Sequence, residues 1–290
     1  MKTEIGRIKP DNVIDRWPGE FEVNLGSVQE TLLLPLWGRA VETQKSQPLL
    51  VDHLAVSIVK SLNYDFQRIA SNIHALSRLS WIARSLYFDQ EITAFLSKFP
   101  DGTIVNIGCG LDTTFDRVDN GRAMWYELDL PDVIELRRKY ISESEHRIFL
   151  AESALYTTWY TRIANTDHVL LFLAGVIYYF DEQSVKMLFH EFRQHFTTVT
   201  VLFDYSSKRG IAVANKKVLE QGGMSSQARL LWGVDNIYEL EAWDRSIRIV
   251  KSMPMFHEYK KNYPVWKRIG MQISDMLKIM SLTRIEIGEG

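Results

Sequence analysis

The segment Thr103-Ile-Val-Asn-Ile-Gly-Cys-Gly-Leu-Asp112 decides how this chain folds. Its first five residues are mostly β-branched and apolar, which predicts a buried strand. Gly108 and Gly110 follow directly, and glycine lets the backbone turn sharply and approach a ligand closely. Thr113 and Thr114 stand where the next helix is expected to begin, with its first amides facing the ligand. The segment therefore predicts a strand, a tight turn and a binding niche beyond the carboxyl end of the strand.

Strand-like and helix-like stretches alternate after Pro100, which is typical of βαβ units and a parallel sheet. Strands are predicted at residues 103–108, 123–129, 147–151, 168–174, 198–204, 246–252 and 282–287. Helices are predicted at residues 131–141, 181–196, 236–243 and 264–281. The expected fold is α/β, with a seven-stranded, mostly parallel sheet flanked by helices.

The chain before Pro100 has a different character. Apolar positions recur three and four residues apart at 52–62 and again at 69–99, which predicts helices. We expect residues 1–99 to form a helical cap, or lid, packed on a core of residues 100–290. Residues 206–231 lack a strand period, so a helical insertion is expected after strand five, at about 206–245.

Composition excludes several classes of protein. Apolar residues make up 46% and charged residues 24%, as in ordinary globular domains, so the chain is not a disordered one. The 34 Lys and Arg are balanced by 36 Asp and Glu, which weighs against a nucleic-acid binder. The longest apolar run, 169–180, is shorter than the roughly 20 residues of a membrane helix, and the first residues do not resemble a signal peptide. We expect a cytoplasmic protein with no membrane partner.

The cysteine, two histidines and a basic run are interpreted as structural residues. Cys109 is the single cysteine, so a disulfide framework and a cysteine zinc cluster are excluded. It is interpreted as a small packing residue. His190 and His195 are five residues apart and do not share a helix face, so no metal site is expected. Residues 137–139 (Arg-Arg-Lys) are predicted to form a solvated helix face.

Two acids follow the glycine turn. Strand two is expected to end in Glu127-Leu-Asp129, about 20 residues past the glycines, which is the spacing used to bind ribose hydroxyls. Asp129, at the tip, is the better candidate to reach a ligand, and helix capping is the alternative role. Thr113 replaces the third glycine of the dinucleotide fingerprint, and only a pyrophosphate requires that close packing. The turn therefore favours an adenosine-type ligand over NAD.

Further motifs lie outside this core. The full set is Asn106-Ile-Gly-Cys-Gly-Leu-Asp-Thr113 with Arg117, Tyr126-Glu-Leu-Asp-Leu-Pro-Asp-Val133 with Leu136-Arg137, residues 31–42, Asp52-His-Leu-Ala55, Ala83-Arg84 with Asp89, residues 153–159 and Leu230-Leu-Trp-Gly-Val-Asp235. Together these stretches resemble the leucine carboxyl methyltransferase family, and within it the branch of tetracenomycin polyketide O-methyltransferase-like proteins. The resemblance covers most of the chain.

The resemblance implies a class I methyltransferase fold, Rossmann-like, that uses S-adenosyl-L-methionine. It implies that Arg84 meets the methionine carboxylate of the cofactor, that Asp129 holds the ribose and that residues 153–154 lie near the adenine. Cofactor-binding residues are thus expected at Arg84, Gly108, Gly110, Asp112, Glu127, Asp129, Ser153 and Ala154.

The chain departs from the family pattern at two positions. Ala174-Gly175 stands where the fourth strand commonly ends in Glu-Gly, so a carboxylate on the cofactor or substrate side is absent. Thr114 stands where the bacterial branch usually has Arg. These two departures weaken the inference of a substrate from the family.

The chemistry of methyl transfer limits which chemical group can receive the methyl. Methyl transfer from a sulfonium is an in-line displacement, in which alignment alone contributes about 7–11 kcal/mol. A carboxylate acceptor needs no base, whereas a phenol or alcohol gains about 10²–10⁴-fold from one. No compelling base is visible, which favours a carboxylate or an acidic hydroxyl. Candidate substrate contacts are Tyr178, Tyr179 and Asp204 after strands four and five, and Arg39 from the N-terminal lid.

The expected function is an S-adenosylmethionine-dependent O-methyltransferase that acts on a carboxylate or hydroxyl of a small, polyketide-like molecule. One alternative is a protein C-terminal carboxyl methyltransferase. Another is a non-catalytic, cofactor-binding regulatory subunit, which the missing carboxylate at Ala174 would suit. A dehydrogenase is the last alternative, because Thr113 replaces the third glycine.

Overall fold

A seven-stranded sheet forms the centre of the protein. The computed structural model describes residues 21–22, 29–66, 75–216 and 229–288. The strands are β1 (Thr103–Ile107), β2 (Met124–Asp129), β3 (Arg147–Ala151), β4 (Val169–Leu173), β5 (Thr198–Ser206), β6 (Ile247–Pro254) and β7 (Met280–Gly288). They lie in the order β3-β2-β1-β4-β5-β7-β6. Six strands run in the same direction, and β7 runs opposite to them. The predicted seven-stranded, mostly parallel sheet is confirmed.

Helices flank this sheet and precede it. The α-helices of the described residues are α1 (Leu33–Thr43), α2 (His53–Ser61), α3 (Ala75–Lys98), α4 (Thr114–Val118), α5 (Pro131–Arg138), α6 (Glu182–His195), α7 (Lys208–Ala214) and α8 (Val265–Met276). Asp52 and Asp181 accept hydrogen bonds from backbone amides at the starts of α2 and α6, as N-capping carboxylates do. Within the described ranges, no helix has the length and apolar character needed to cross a bilayer.

Several predicted helix boundaries are corrected. The helix predicted at 264–281 ends at Met276, because Lys278 adopts a positive φ of 47° and turns the chain into β7. The predicted helix at 236–243 is a 3₁₀ helix, Ile237–Ala242. Part of the helix predicted at 69–99 and part of the insertion at about 206–245 lie outside the described residues. The division of the chain at residue 99 remains a prediction.

Alternate residues of the central strands cover opposite faces of the sheet, as the two-residue period of a strand requires. Val105 and Leu171 lie in the apolar cluster that includes Phe189 of α6. Ile104 and Leu170 lie in the cluster that contains Phe88 and Ile92 of α3. Both faces are therefore covered, which explains why the parallel strands are almost continuously apolar.

A buried ion cluster joins β2, β3 and α5. Glu127 and Arg137 are fully buried. Arg137 Nε donates to Glu127 Oε2 at 3.1 Å, and Arg147 Nε donates to the same oxygen at 2.8 Å. Arg137 Nη1 also donates to the carbonyl oxygen of Gly110 at 2.8 Å. The predicted solvated face at 137–139 is wrong for Arg137, because this guanidinium supports the glycine turn from inside the protein.

We predict that Glu127→Gln strongly destabilises the protein. The change leaves the buried guanidinium of Arg137 without its paired carboxylate and leaves Arg147 with Asp116 alone, and breaking a buried pair in this way costs about 3–5 kcal/mol. Glu143→Gln is the matched control, because Glu143 pairs with Arg138 at the surface, where such pairs contribute about 0–1 kcal/mol. Urea unfolding measures both free energies of unfolding. Equal losses in the two variants would contradict the role given to the cluster.

Candidate cofactor and acceptor site

A cavity of about 710 Å³ opens beyond the carboxyl ends of the parallel strands. One part, the strand-end half, is bounded by residues at or just after the carboxyl ends of β1 to β4, namely Gly108, Gly110, Asp129, Ser153, Ala154 and Gly175. The other part, the helical half, is bounded by Phe180, by Arg209 and Val213 of α7, by Ile273 of α8, and by Leu277 and Met280. This volume lies within the range of about 300–1,000 Å³ that is typical of small-molecule and cofactor sites.

The glycine turn lines the cavity, and its conformation and packing require glycine at two positions. Gly108 and Gly110 have φ values of 70° and 47°, in the left-handed region that favours glycine. A Cβ atom at Gly108 would lie 2.4 Å from Cγ2 of Val176, and one at Gly110 would lie 3.2 Å from Cβ of Leu32. Both glycines therefore pack directly against the side chains of Val176 and Leu32, and a larger residue at either position would be strained or would displace these neighbours.

Asp129 is the acid that the fold brings to the turn. Its Oδ2 accepts a hydrogen bond from the amide of Gly110 at 2.7 Å, and its Oδ1 accepts one from the amide of Leu130 at 2.8 Å. Burial raises the pKa of this carboxyl, although the two amides favour the charged form. Each carboxylate oxygen can accept a second bond, so Asp129 can still hold two ligand hydroxyls.

Arg84 of α3 lines the cavity together with Tyr178. Its Nη1 donates to Asp204 Oδ2 at 3.0 Å and to the Tyr178 hydroxyl at 3.2 Å. The Tyr178 hydroxyl itself donates to Asp204 Oδ2, and Asp204 Oδ1 accepts from the amide of Gly175 at 2.7 Å. A Cβ atom at Gly175 would lie 2.5 Å from Arg84 Nη1, so the guanidinium rests directly on the backbone.

This arrangement leaves part of Arg84 available for a ligand. Asp204 is fully buried behind the cavity wall and holds one edge of the guanidinium. Within the described ranges, no hydrogen bond engages Nη2 or Nε of Arg84. Burial and the neighbouring Asp204 carboxylate raise the pKa of Tyr178 well above its usual value, so its hydroxyl stays protonated.

Four predicted site residues do not line the cavity: Asp112, Glu127, Arg39 and Asp204. Glu127 is held by its arginines, as described above. Arg39, expected to face an anionic acceptor, is buried, and its Nε donates to Asp52 Oδ2 at 2.9 Å. Its Nη2 donates to the carbonyl oxygen of Leu111 at 3.1 Å, so Arg39 ties α1 to the segment after the glycine turn instead.

The remaining predicted residues do line the cavity. Ser153 and Ala154 follow β3, and Tyr179 follows β4. The Tyr179 hydroxyl donates to Oγ1 of Thr31 at 2.9 Å, and burial raises its pKa. The structure thus brings together Arg84, Gly108, Gly110, Asp129, Ser153, Ala154, Tyr178 and Tyr179.

Sequence reasoning missed three residues. Arg137 supports Gly110 from behind, and no local signal marks this role, because its partner Glu127 lies on a different element of the fold. Glu152 lines the cavity one residue past β3, where the carboxyl end of a strand is itself the signal. Arg209 lines the helical half, and no motif marks it.

This strand order, with a glycine turn after the first strand and an acid after the second, is the architecture of the class of S-adenosylmethionine-dependent methyltransferases. The sequence pattern of leucine carboxyl methyltransferases matches residues 33–193, more than half of the chain. The chain belongs to the leucine carboxyl methyltransferase family. It is an enzyme that uses S-adenosyl-L-methionine, as the resemblance implied.

Two similar proteins carry names that describe their activity. The chain is 27% identical over 234 residues to the tetracenomycin polyketide synthesis O-methyltransferase TcmP of Streptomyces glaucescens, covering 80% of this chain and 85% of that protein. It is 25% identical over 281 residues to the S-adenosyl-L-methionine-dependent methyltransferase dpfgK of Gibberella zeae, covering 89% and 93%. Both alignments extend well beyond the glycine turn.

A solved structure supports the fold. The DUF574 family protein from Streptomyces avermitilis superposes with a TM-score of 0.58 at 9% sequence identity. The match covers 91% of this chain and all of that protein. At this level of identity the likeness concerns the fold alone.

Beside the cavity, a second ion cluster surrounds Asp112. Burial acts to raise the pKa of this carboxyl, but Arg39, Arg117 and the amide of Thr114 outweigh it and bring the pKa to about 2. Its Oδ1 accepts from the amide of Thr114 at 2.8 Å, and its Oδ2 lies 3.8 Å from Arg39 Nη1. Asp112 therefore orders the segment after the glycine turn without lining the cavity.

We predict that Asp112→Asn lowers the free energy of unfolding by about 2 kcal/mol at pH 7, the value of a pKa lowered from 3.8 to about 2. Because folding favours the ionised form, this contribution is present above pH 4 and is lost as the pH falls toward 2. Chemical unfolding at a series of pH values measures it. Asp167→Asn, at an exposed carboxyl with no ion pair among the described residues, serves as the control. A gap between Asp112→Asn and wild type that stays constant from pH 7 to pH 3 would count against the prediction.

Proposed function

We propose that this O-methyltransferase transfers its methyl group to a small, largely apolar molecule through a carboxylate or an acidic hydroxyl. The observation that carries the proposal is the continuity of the cavity. Its strand-end half, with the glycine turn and Asp129, opens directly into a helical half lined by Val213, Ile273 and Leu277. An apolar wall of this kind favours an apolar acceptor next to the cofactor.

The cofactor-binding roles follow from charge and position. We assign the methionine carboxylate to the free edge of Arg84, because a guanidinium binds a carboxylate through two parallel donors. Asp129 accepts hydrogen bonds from the ribose hydroxyls, and residues 153–154 border the adenine. Gly108 and Gly110 permit the close approach of the backbone. The bound cofactor supplies an activated methyl group, so the protein needs only to bind, align and exclude water.

The tyrosines beside the site support an acceptor that arrives ready to react. The Tyr178 hydroxyl donates to Asp204, and its pKa lies well above its usual value. The Tyr179 hydroxyl donates to Thr31, and burial raises its pKa as well. A phenol held in the protonated form does not accept a proton at neutral pH. We therefore assign both tyrosines to positioning, and the acceptor oxygen to a group that ionises by itself.

The named relatives support a small acceptor. TcmP is described as an enzyme of polyketide synthesis, and we extend a polyketide-like acceptor to this chain as part of the proposal. The family name itself points to the competing acceptor, a C-terminal carboxylate of a protein. Incubation of the enzyme with labelled cofactor and lysate separates the two. Base-labile label in protein supports the competing acceptor, and label in extractable small molecules supports ours. The cytoplasmic location remains a prediction.

We predict that the protein binds S-adenosylhomocysteine and that Asp129→Asn weakens this binding about tenfold or more. The loss is that of a charge-assisted hydrogen bond to the ribose. Glu135→Gln, at an exposed acid on α5, is the control and keeps the wild-type affinity. Calorimetric titration measures the affinity for S-adenosylhomocysteine of the wild-type protein and of the two variants. Absence of binding by the wild-type protein at high micromolar concentrations would refute the cofactor site, and unchanged affinity in folded Asp129→Asn would refute the role of Asp129.

We predict that Asp204→Asn weakens binding of S-adenosylhomocysteine about tenfold, because the guanidinium of Arg84 loses the charge that orients it. The affinity for 5′-methylthioadenosine, which lacks the amino acid part of the cofactor, is expected to stay unchanged. Calorimetry with the two ligands provides the comparison. An equal loss for both would mean that Asp204 supports the whole fold rather than the position of Arg84.

A further inference from the structure

We propose that the methyl acceptor carries an anionic group, apart from the oxygen that is methylated, and that Arg209 binds this group at the rim of the helical half. The inference rests on the proposed function and narrows its substrate class to an apolar molecule that bears an acid. It follows from the charges that line the cavity and from where each of them lies.

Four charged side chains line the described part of the cavity: Arg84, Asp129, Glu152 and Arg209. The first three belong to the strand-end half and have partners within the protein. Arg84 binds Asp204, Asp129 accepts the amide of Gly110, and Glu152 accepts the hydroxyl of Thr158. Arg209 alone among the four belongs to the helical half.

Arg209 has no such partner within residues 29–66, 75–216 and 229–288. It lies in the first turn of α7 and is exposed. Among the described residues its guanidinium forms no ion pair or side-chain hydrogen bond, and its neighbours along this wall are Val213, Ile273 and Leu277. A planar cation at the edge of an apolar wall suits a carboxylate, sulfonate or phosphate on an otherwise apolar molecule.

The helix that carries Arg209 packs on the segment that follows α8. A Cβ atom at Gly210 would lie only 2.1 Å from the carbonyl oxygen of Ile279, so α7 packs tightly on the chain that follows α8. Ile273 lines the cavity and is also 49% exposed, which marks the opening to solvent. Arg209 and Ile273 both line the cavity and are both exposed, so an acceptor that fills the helical half meets an apolar surface and a cation.

Depth separates this anionic group from the reacting oxygen. Tyr178 and Arg84, which border the methyl donor in the proposed arrangement, are buried, whereas Arg209 is exposed. A carboxylate of the acceptor that binds Arg209 at the rim thus serves for recognition, and this carboxylate is not methylated. An arginine on the reacting oxygen would also stabilise its charge and reduce its reactivity.

The experiment compares naphthalene-2-carboxylate with naphthalene-2-carboxamide, two probes of equal size that differ in charge. Both are titrated by calorimetry into the full-length protein saturated with S-adenosylhomocysteine. Saturation itself reports on the cofactor site, so a failure of the proposed function is seen separately. The variants are Arg209→Ala, Arg209→Lys and the control Lys208→Ala, whose side chain is exposed but does not line the cavity.

We expect the wild-type protein to bind the carboxylate about tenfold more tightly than the amide, as a charge-assisted bond predicts. Arg209→Ala should remove this preference by weakening the carboxylate alone, Arg209→Lys should keep part of it, and Lys208→Ala should keep all of it. Equal affinities in the wild type would overturn the proposal. So would a preference that persists in Arg209→Ala, or a failure of both probes to bind the cofactor-saturated protein.

Discussion

The hydrogen bond from Arg137 to the carbonyl oxygen of Gly110 is the contact on which the binding site depends. Cys109 and Leu111 anchor the turn through buried side chains, but Gly110 has no side chain to hold it and lies in the left-handed region. Arg137 supplies that hold from α5, and it is itself held by the buried carboxylate of Glu127 on β2. The sheet, the helix and the turn are thus joined through one guanidinium.

A second buried carboxylate plays the same part on the other side of the cavity. Asp204, at the carboxyl end of β5, holds Arg84 of α3 and the amide of Gly175 after β4. In both places the acid is buried and pairs with an arginine, and that arginine contacts the backbone of a glycine that lines the cavity. Burying a charge is costly unless it is paired and fully hydrogen-bonded, so these acids also select one geometry for the strand ends.

The parts of the fold that could be predicted are those with a local signal. The glycine turn, the acid at Asp129 and the strands with an apolar run on both faces were all visible, because each depends on neighbours in the sequence. The burial of Arg137 was not visible, because it depends on Glu127 and Arg147 arriving from two different strands. Arg39 was misplaced for the same reason: its partner Asp52 caps the next helix, and the pair closes only in the folded chain.

The two halves of the cavity rest on different parts of the molecule, and that division bears on how such an enzyme diversifies. The strand-end half is built from strand ends, the glycine turn and buried ion pairs, where a substitution removes contacts that hold the fold together. The helical half is carried by α7, α8 and their neighbours, with side chains such as Val213 and Ile273 that support no ion pair among the described residues. Under the proposed function, substitutions in these two helices change the range of acceptors and leave the proposed cofactor-binding residues in place.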